Sequence, residues 1–446
     1  MPTPGEPFDI AARLADPQTY EDTILRIFTK RNDRGAAFDE ADHGVTYFSA
    51  AAERRSLSRS IASTIAAGEY RTQPVDLWFL ETNGKRRAAH SPGFTDHIVG
   101  SALFKLLTHN ARCHGLPGVY SYLSGVTNLS AMQTFAAFIR AHRNRVGARG
   151  APLYVLQSDF ERYGDDLPVG PDAALWRILR DVAALGSPSG EIDGTTWDLI
   201  TALVRPAVRE SDGTQFTRLN GVAMGTPLVP LLGNLAVVPM DRAISSIDGV
   251  FYARYNDDFI VAHSDLAALH EADKRIDALL GELGVRRKLS KEIRTALSAT
   301  GRPSTDDAAY GGRDRVDCLG LTVTHAGTVS LGPHRLRRFV ERIVRRVDAA
   351  GPALRDLPVP DRARHLVATT NVMLDVTNPF AVAGLSAVLE CTTDRGVLKD
   401  LDYRIARKIA QVATGRSGVS GFREVPPAML RRDLGLTSLV YLRNQR

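Results

Sequence analysis

Two adjacent aspartates, Asp257 and Asp258, lie between the apolar β-type runs Phe251-Tyr-Ala-Arg-Tyr255 and Phe259-Ile-Val-Ala262, with only Asn256 before them. Such a pair of runs closes as a tight antiparallel hairpin with Asn256-Asp257-Asp258 at its tip. Like charges this close raise each other's pKa and repel unless a divalent cation neutralises them. For this segment alone a solvated turn is the competing reading, because Asn-Asp is a common turn pair. A third aspartate, Asp159, follows the short run Leu153-Tyr-Val-Leu156. Three carboxylates on neighbouring strand ends make an oxygen-rich site suited to Mg²⁺, and two such ions assist in-line phosphoryl transfer.

The elements that must position these groups are legible from periodicity. Tyr20 to Phe28 and Ser49 to Ile65 carry apolar residues at helical spacing, as do Phe94 to Leu107 and Ser130 to Ile139. Val75 to Leu80, followed by Asn83-Gly84 and Lys85-Arg86-Arg87, reads as a hairpin with basic residues beyond its turn. Leu266, Leu269, Ala272, Ile276, Leu279 and Leu283 mark one face of a helix after the aspartate hairpin. Strand signals around Leu319 to Val329 give way to a basic helix from His334 to Arg346. There Arg335, Arg338, Arg342 and Arg345 share one side, and Leu336, Phe339, Val340, Ile343 and Val347 form the apolar face. Such a stripe can track a duplex backbone, although a solvated face has the same pattern.

Composition narrows the class. A 446-residue chain that is 44% hydrophobic and 24% charged excludes a disordered chain, a collagen-like repeat and a membrane bundle, and predicts two or three domains. The net charge of +6 is uneven: Arg395 to Arg446 holds eleven basic and four acidic residues, a balance of +7. Three scattered cysteines, Cys113, Cys318 and Cys391, fit a reducing compartment and give neither a disulfide framework nor a zinc site. The uncharged stretch Leu219 to Met240 is interrupted by three glycines and three prolines, which predicts a buried loop and helix rather than a membrane span. The amino terminus lacks a signal-peptide pattern, so the expected location is cytoplasmic.

Phe251-Tyr-Ala-Arg-Tyr-Asn-Asp-Asp-Phe-Ile-Val261 resembles the Tyr-x-Asp-Asp hairpin of bacterial reverse transcriptases, those of group II introns, retrons and phage-defence systems. Gly221-Val-Ala-Met-Gly-Thr-Pro-Leu-Val-Pro-Leu-Leu-Gly-Asn-Leu235, with Pro239-Met-Asp241, resembles the family's Gly-rich loop and helix beneath the incoming nucleotide. Glu282-Leu-Gly-Val with Lys291, and Cys318-Leu-Gly-Leu321, resemble the next motif and the primer-grip strand. Gly84-Lys-Arg-Arg87, Phe94-Thr-Asp-His-Ile-Val99 and Gly118-Val-Tyr-Ser-Tyr122 are similar to the fingers segments. These elements keep the family's order over roughly residues 60 to 335.

The resemblance implies an α+β, right-hand polymerase. Its parts are a helical N-terminal extension (1–60), fingers (61–150), a palm with an antiparallel sheet (151–332) and a helical basic thumb or C-terminal domain (333–446). It implies an RNA-directed DNA polymerase, a nucleotidyltransferase that joins nucleotides to a primer 3′-hydroxyl with two Mg²⁺, or Mn²⁺. Asp159, Asp257 and Asp258 would bind metal. Lys85, Arg86, Arg87, Tyr163, Gly164, Met224 and Gly225 would meet the nucleotide. Lys291 would lie near the pyrophosphate as a proton donor, and Arg335, Arg338, Arg342 and Arg345 would grip nucleic acid. Expected partners are an RNA template, a DNA product and nucleoside triphosphates, with no membrane and the oligomeric state left open.

Several positions depart from the family pattern. The loop usually written Pro-Gln-Gly is Ala223-Met224-Gly225, and Cys318 replaces an aromatic. Gly164 stands where a bulky aromatic usually blocks a ribose 2′-hydroxyl, with Tyr163 beside it as a substitute gate. Asn110-Ala-Arg-Cys-His114 has the letters of a retron signature without a matching downstream partner, and reads as coincidence. A stand-alone, defence-associated enzyme using a dedicated non-coding RNA in antiphage defence is the leading expectation. A template-relaxed or protein-primed polymerase of the abortive-infection type, a maturase-like RNA-binding scaffold and a viral-type RNA polymerase are the alternatives.

Overall fold

Helix starts are set by local chemistry. Asp16 caps Pro17–Asn32 by accepting from the Gln18 N–H (2.9 Å), with proline at the first helical position. Asp265 caps Leu266–Glu282 in the same way. Thr46 and Ser49 exchange bonds as a capping box at the start of Tyr47–Ala52. The computed structural model describes residues 5–33, 35–42, 44–82, 84–147, 150–304 and 306–445. The chain is mixed α/β and divides into two units: Met1–Asn128 with Leu156–Ile293, and Leu129–Val155 with Arg294–Arg446.

In the first unit, Pro17–Asn32 packs against Arg54–Ala66 and Phe94–His114. A four-stranded sheet follows in the order Lys85–Ser91, Val75–Thr82, Ala207–Arg209, Gln215–Thr217. Its first pair is the expected basic hairpin; Asn83 and the Lys85 side chain lie outside the described residues. A second sheet places Asp258–His263 between Phe251–Tyr255 and Leu153–Glu161, and Arg286–Arg287 pairs with Phe160 and Glu161. The inner strands are buried along most of their length because both faces are covered, with apolar runs at Leu153 to Leu156 and Phe259 to Ala262. Leu266–Glu282 packs on the hairpin through Leu269, Ala272, Ile276 and Leu280. Leu280 is the buried residue where the sequence face names Leu279, because the face drifts round the helix over four turns. Leu219 to Met240 divides between a loop and the two eight-residue helices Val229–Ala236 and Val238–Ser245. Among the described residues no helix is long and apolar enough to cross a membrane.

In the second unit, Arg315–Cys318, Leu321–Thr324 and Val329–Leu331 form an antiparallel sheet. Its first turn is Leu319-Gly320, both at positive φ (55° and 73°), the backbone that a two-residue hairpin loop favours. The helices Pro333–Ala350, Val359–Met373 and Arg395–Thr414 pack on one another. Phe339, Val340, Ile343 and Val347 of the first are buried, which matches its predicted apolar face. Asp402 is buried and accepts from the Leu439 N–H (2.8 Å) and the Ser438 hydroxyl (2.6 Å), tying the terminal helix Leu439–Asn444 down. The three cysteines are free thiols.

Candidate active site

Tyr255 pairs with Asp258, so the hairpin turn is two residues, Asn256-Asp257, and Asp258 opens the second strand. The three-residue tip expected from sequence is therefore one residue too long. Asn256 makes the shorter turn available by taking the left-handed region (φ 61°), which asparagine tolerates better than most residues. The neighbouring strand carries Asp159, which is buried. The Phe160 N–H donates to the Asp257 carbonyl oxygen (3.1 Å), stitching the Asp159 strand to the turn. On the other side, the Lys288 N–H donates to the Asp159 carbonyl oxygen (2.7 Å). The Lys291 ammonium then reaches one carboxylate oxygen of Asp159.

The electrostatics follow from that crowding. Loss of solvation, with Asp257 and then Asp159 adding repulsion and Lys291 opposing them, pushes the Asp258 carboxyl up to about 6. Asp258 is nevertheless exposed by accessible area, so solvent screening softens the penalty. Its bond to Asp159 holds the Lys291 ammonium above its ordinary value. The donor chemistry suits divalent cations: carboxylate oxygens alone, at a place where negative charge is under-compensated. Among the described residues no three His, Cys, Asp or Glu side chains already stand as a ligand cage, and the Lys291 ammonium is the positive charge that meets Asp159.

Beneath the tip runs a buried polar network. Arg254 and Asp241, both 0% exposed, form a two-pronged ion pair with Nε···Oδ1 at 2.8 Å and Nη2···Oδ2 at 2.6 Å. The Tyr252 hydroxyl donates to the same carboxylate at 2.5 Å. Arg254 also donates to the Asn234 carbonyl (3.0 Å) and to the Asn256 carbonyl (2.9 Å). The sequence reading gave these residues no role. An arginine inside an otherwise apolar β run was a signal available to it, since a buried charge must find a partner.

The basic hairpin meets the Ala223-Met224-Gly225 loop: the His90 N–H donates to the Met224 carbonyl (2.7 Å). A Cβ on Gly225 (φ 114°) would lie 2.4 Å from the His90 carbonyl oxygen, so only glycine lets the two backbones approach. Met224 in turn covers Gly164: a Cβ there would meet its sulfur at 2.8 Å. Tyr163 is not the substitute gate. Its ring is buried and its hydroxyl donates to the Gly233 carbonyl, a bond that swinging out would break. Strand alternation puts Arg86 on the face of His90, with its guanidinium 3.9 Å from the Phe79 ring centroid. Arg87 shares the opposite face with Trp78 and Leu80, and both arginines are exposed.

In the second unit Arg335, Arg338, Arg342 and Arg345 are all exposed on one side of Pro333–Ala350, as expected. Arg342 is already engaged, however, donating to the Ala383 carbonyl (2.6 Å), as Arg346 does to Phe380 (2.9 Å). The chain folds back against the stripe there, so Arg342 is a structural contact. Asn110 is a core residue whose amide satisfies the backbone of Phe8, Val182 and Leu185. That supports reading the retron letters as coincidence.

No protein-family model matches the sequence, and no curated protein is detectably similar to it. Among solved structures, it is similar to telomerase from Candida albicans in complex with a TWJ fragment of telomeric RNA, at 12% identity and a TM-score of 0.48. That likeness covers 85% of this chain and 62% of the other. It is also similar to apo telomerase from Candida tropicalis (12% identity, TM-score 0.45, 80% of this chain and 58% of that one). A form of the latter truncated from its C-terminal domain gives 13% identity and a TM-score of 0.43, over 58% and 56% of the two chains. The chain thus spans about three fifths of the length of these proteins. At such scores the likeness carries no argument about what it does.

Proposed function

We propose that this chain is an RNA-directed DNA polymerase that extends a primer 3′-hydroxyl. The observation that carries the proposal is the stitching of the Asp159 strand to the Asn256-Asp257 turn, which sets the strand bearing Asp159, with Lys291 on its carboxylate, beside the hairpin that bears Asp257 and Asp258. Asp159, Asp257 and Asp258 would hold two Mg²⁺, or Mn²⁺ in their place. Bound there, the ions supply positive charge that eases ionisation of the primer hydroxyl and offsets charge on the leaving pyrophosphate. Lys291, whose ammonium meets Asp159, would give its proton to that pyrophosphate as the P–O bond breaks. Arg86, which shares a strand face with His90, is the hairpin arginine that would meet the nucleotide. The fingers, palm and thumb layout, with Arg335, Arg338 and Arg345 on nucleic acid, belongs to the same proposal. So do the dedicated non-coding RNA and the antiphage role, which rest on the resemblance in sequence.

The test is primer extension on an RNA template with deoxynucleotides. Incorporation is expected with Mg²⁺ or Mn²⁺, lost in EDTA, and abolished in Asp257→Asn and Asp159→Asn proteins that keep the parental melting curve. Parental rates in both variants would refute the site. Extension without any template would favour the template-relaxed alternative. Tight RNA binding with no incorporation under any condition would favour the scaffold.

A further inference from the structure

Both backbone polar groups of Asn256 are held by buried side chains. Its N–H donates to the Ser121 hydroxyl oxygen (2.8 Å) and its carbonyl accepts from Arg254 Nη1 (2.9 Å). Ser121 is itself fixed: its hydroxyl donates to Asn234 Oδ1 (2.8 Å) and its carbonyl accepts from Asn234 Nδ2 (2.6 Å). Asn234 also meets Arg254 at Nη1 (3.3 Å) and Nη2 (3.0 Å), and Asp241 pins Arg254 from the far side. Ser121, Asn234, Asp241 and Arg254 are each 0% exposed, so the bonds among these four are shielded from water. The residue so clamped is the one at positive φ, and its free amide donates to Asp257 Oδ1 (3.0 Å).

We infer that Ser121, Asn234, Asp241 and Arg254 are a positioning clamp that locks Asn256 in the left-handed conformation and thereby aims the Asp257 carboxylate. The clamp converts a turn that would otherwise sample several conformations into one, with the carboxylate prepaid for its ligand. Asn256 serves twice, as a residue that tolerates the backbone and as an amide that orients the carboxylate. For its catalytic consequence the inference rests on the polymerase reading; the clamp itself does not.

The test pairs backbone exchange with kinetics on the full chain. Ser121→Ala keeps the carbonyl that Asn234 uses and removes the hydroxyl, which is the acceptor for the Asn256 N–H and a donor to Asn234 Oδ1. Hydrogen–deuterium exchange at the Asn256 amide should quicken about tenfold, the scale of one hydrogen bond to a buried group. With Mg²⁺ and a primed RNA template, kcat should fall about fivefold and the Mg²⁺ for half-maximal rate should rise by a similar factor, with the nucleotide KM unchanged. Asn256→Ala should lose more than Asn256→Gly, because glycine restores the backbone but not the amide. Melting temperatures should stay near the parental value in Asn256→Gly and fall by only a few degrees in Ser121→Ala, which loses one buried hydroxyl. Parental exchange in Ser121→Ala, or activity losses that merely follow a falling melting temperature, would overturn the clamp. A parent protein that incorporates nothing, while Ser121→Ala still quickens exchange, would sink the polymerase reading and leave the clamp standing.

Discussion

Replacing Arg254 with methionine removes a guanidinium that is 0% exposed and leaves its volume partly filled. Asp241, also 0% exposed, would keep only the Tyr252 hydroxyl as a side-chain donor. The Asn234 and Asn256 carbonyls would each lose a charged donor as well. Breaking a buried pair from one side costs about 3–5 kcal/mol, because the other charge stays uncompensated. A domain has only about 5–15 kcal/mol of stability in all, so the loss is a large fraction of it. At about 2–4 °C per kcal/mol for domains of 150–250 residues, the melting temperature should drop by roughly 10 °C. Urea denaturation followed by circular dichroism gives the same quantity from the midpoint at constant slope. Removing both charges, Arg254→Met with Asp241→Leu, should recover much of the loss, since the unpaired carboxylate is gone. If Arg254→Met costs under about 1 kcal/mol, or if the double variant is worse than the single, the pair does not carry the burial assigned to it.

Three further outcomes are expected. With Met224 already filling the space over Gly164, Gly164→Phe alone should block both ribo- and deoxynucleotides. Gly164→Phe with Met224→Ala should restore incorporation and sharpen the preference for deoxynucleotides, and single-nucleotide incorporation assays decide between these. Converting Arg338 and Arg345 to glutamine should flatten the salt dependence of nucleic-acid binding by about two log–log units, whereas Arg342→Gln should chiefly lower stability, because that side chain holds Ala383. Burial, with Arg218 adding repulsion, lowers the pKa of His90. The unfolded state therefore takes up the proton first as pH falls, so this histidine's share of stability is complete above about 6.5 and is lost below it, by up to about 1.4 kcal/mol per pH unit. His90→Gln should flatten that acid limb in urea titrations, and an unchanged limb would clear His90 of the role.

How much was legible in advance divides along sequence distance. The amino-acid order alone determined the aspartate hairpin, the Asp159 strand, the basic hairpin and the apolar face of Pro333–Ala350, because periodicity and turn chemistry are set by residues a few positions apart. It left the competing explanation of Asp257-Asp258 as a solvated turn open, and the turn length off by one, because the local pattern does not fix the φ of Asn256. What brings Ser121 to Asn234, 113 residues later, is packing, and no local pattern records it. The same holds for Met224 over Gly164, the Tyr163 hydroxyl on Gly233 and Arg342 on Ala383. A polar side chain's role depends on which partner reaches it inside the fold, and burial makes that partner obligatory. Sequence spacing can announce that a carboxylate or a guanidinium is present. Only the tertiary structure decides whether it faces a ligand, a neighbour or water.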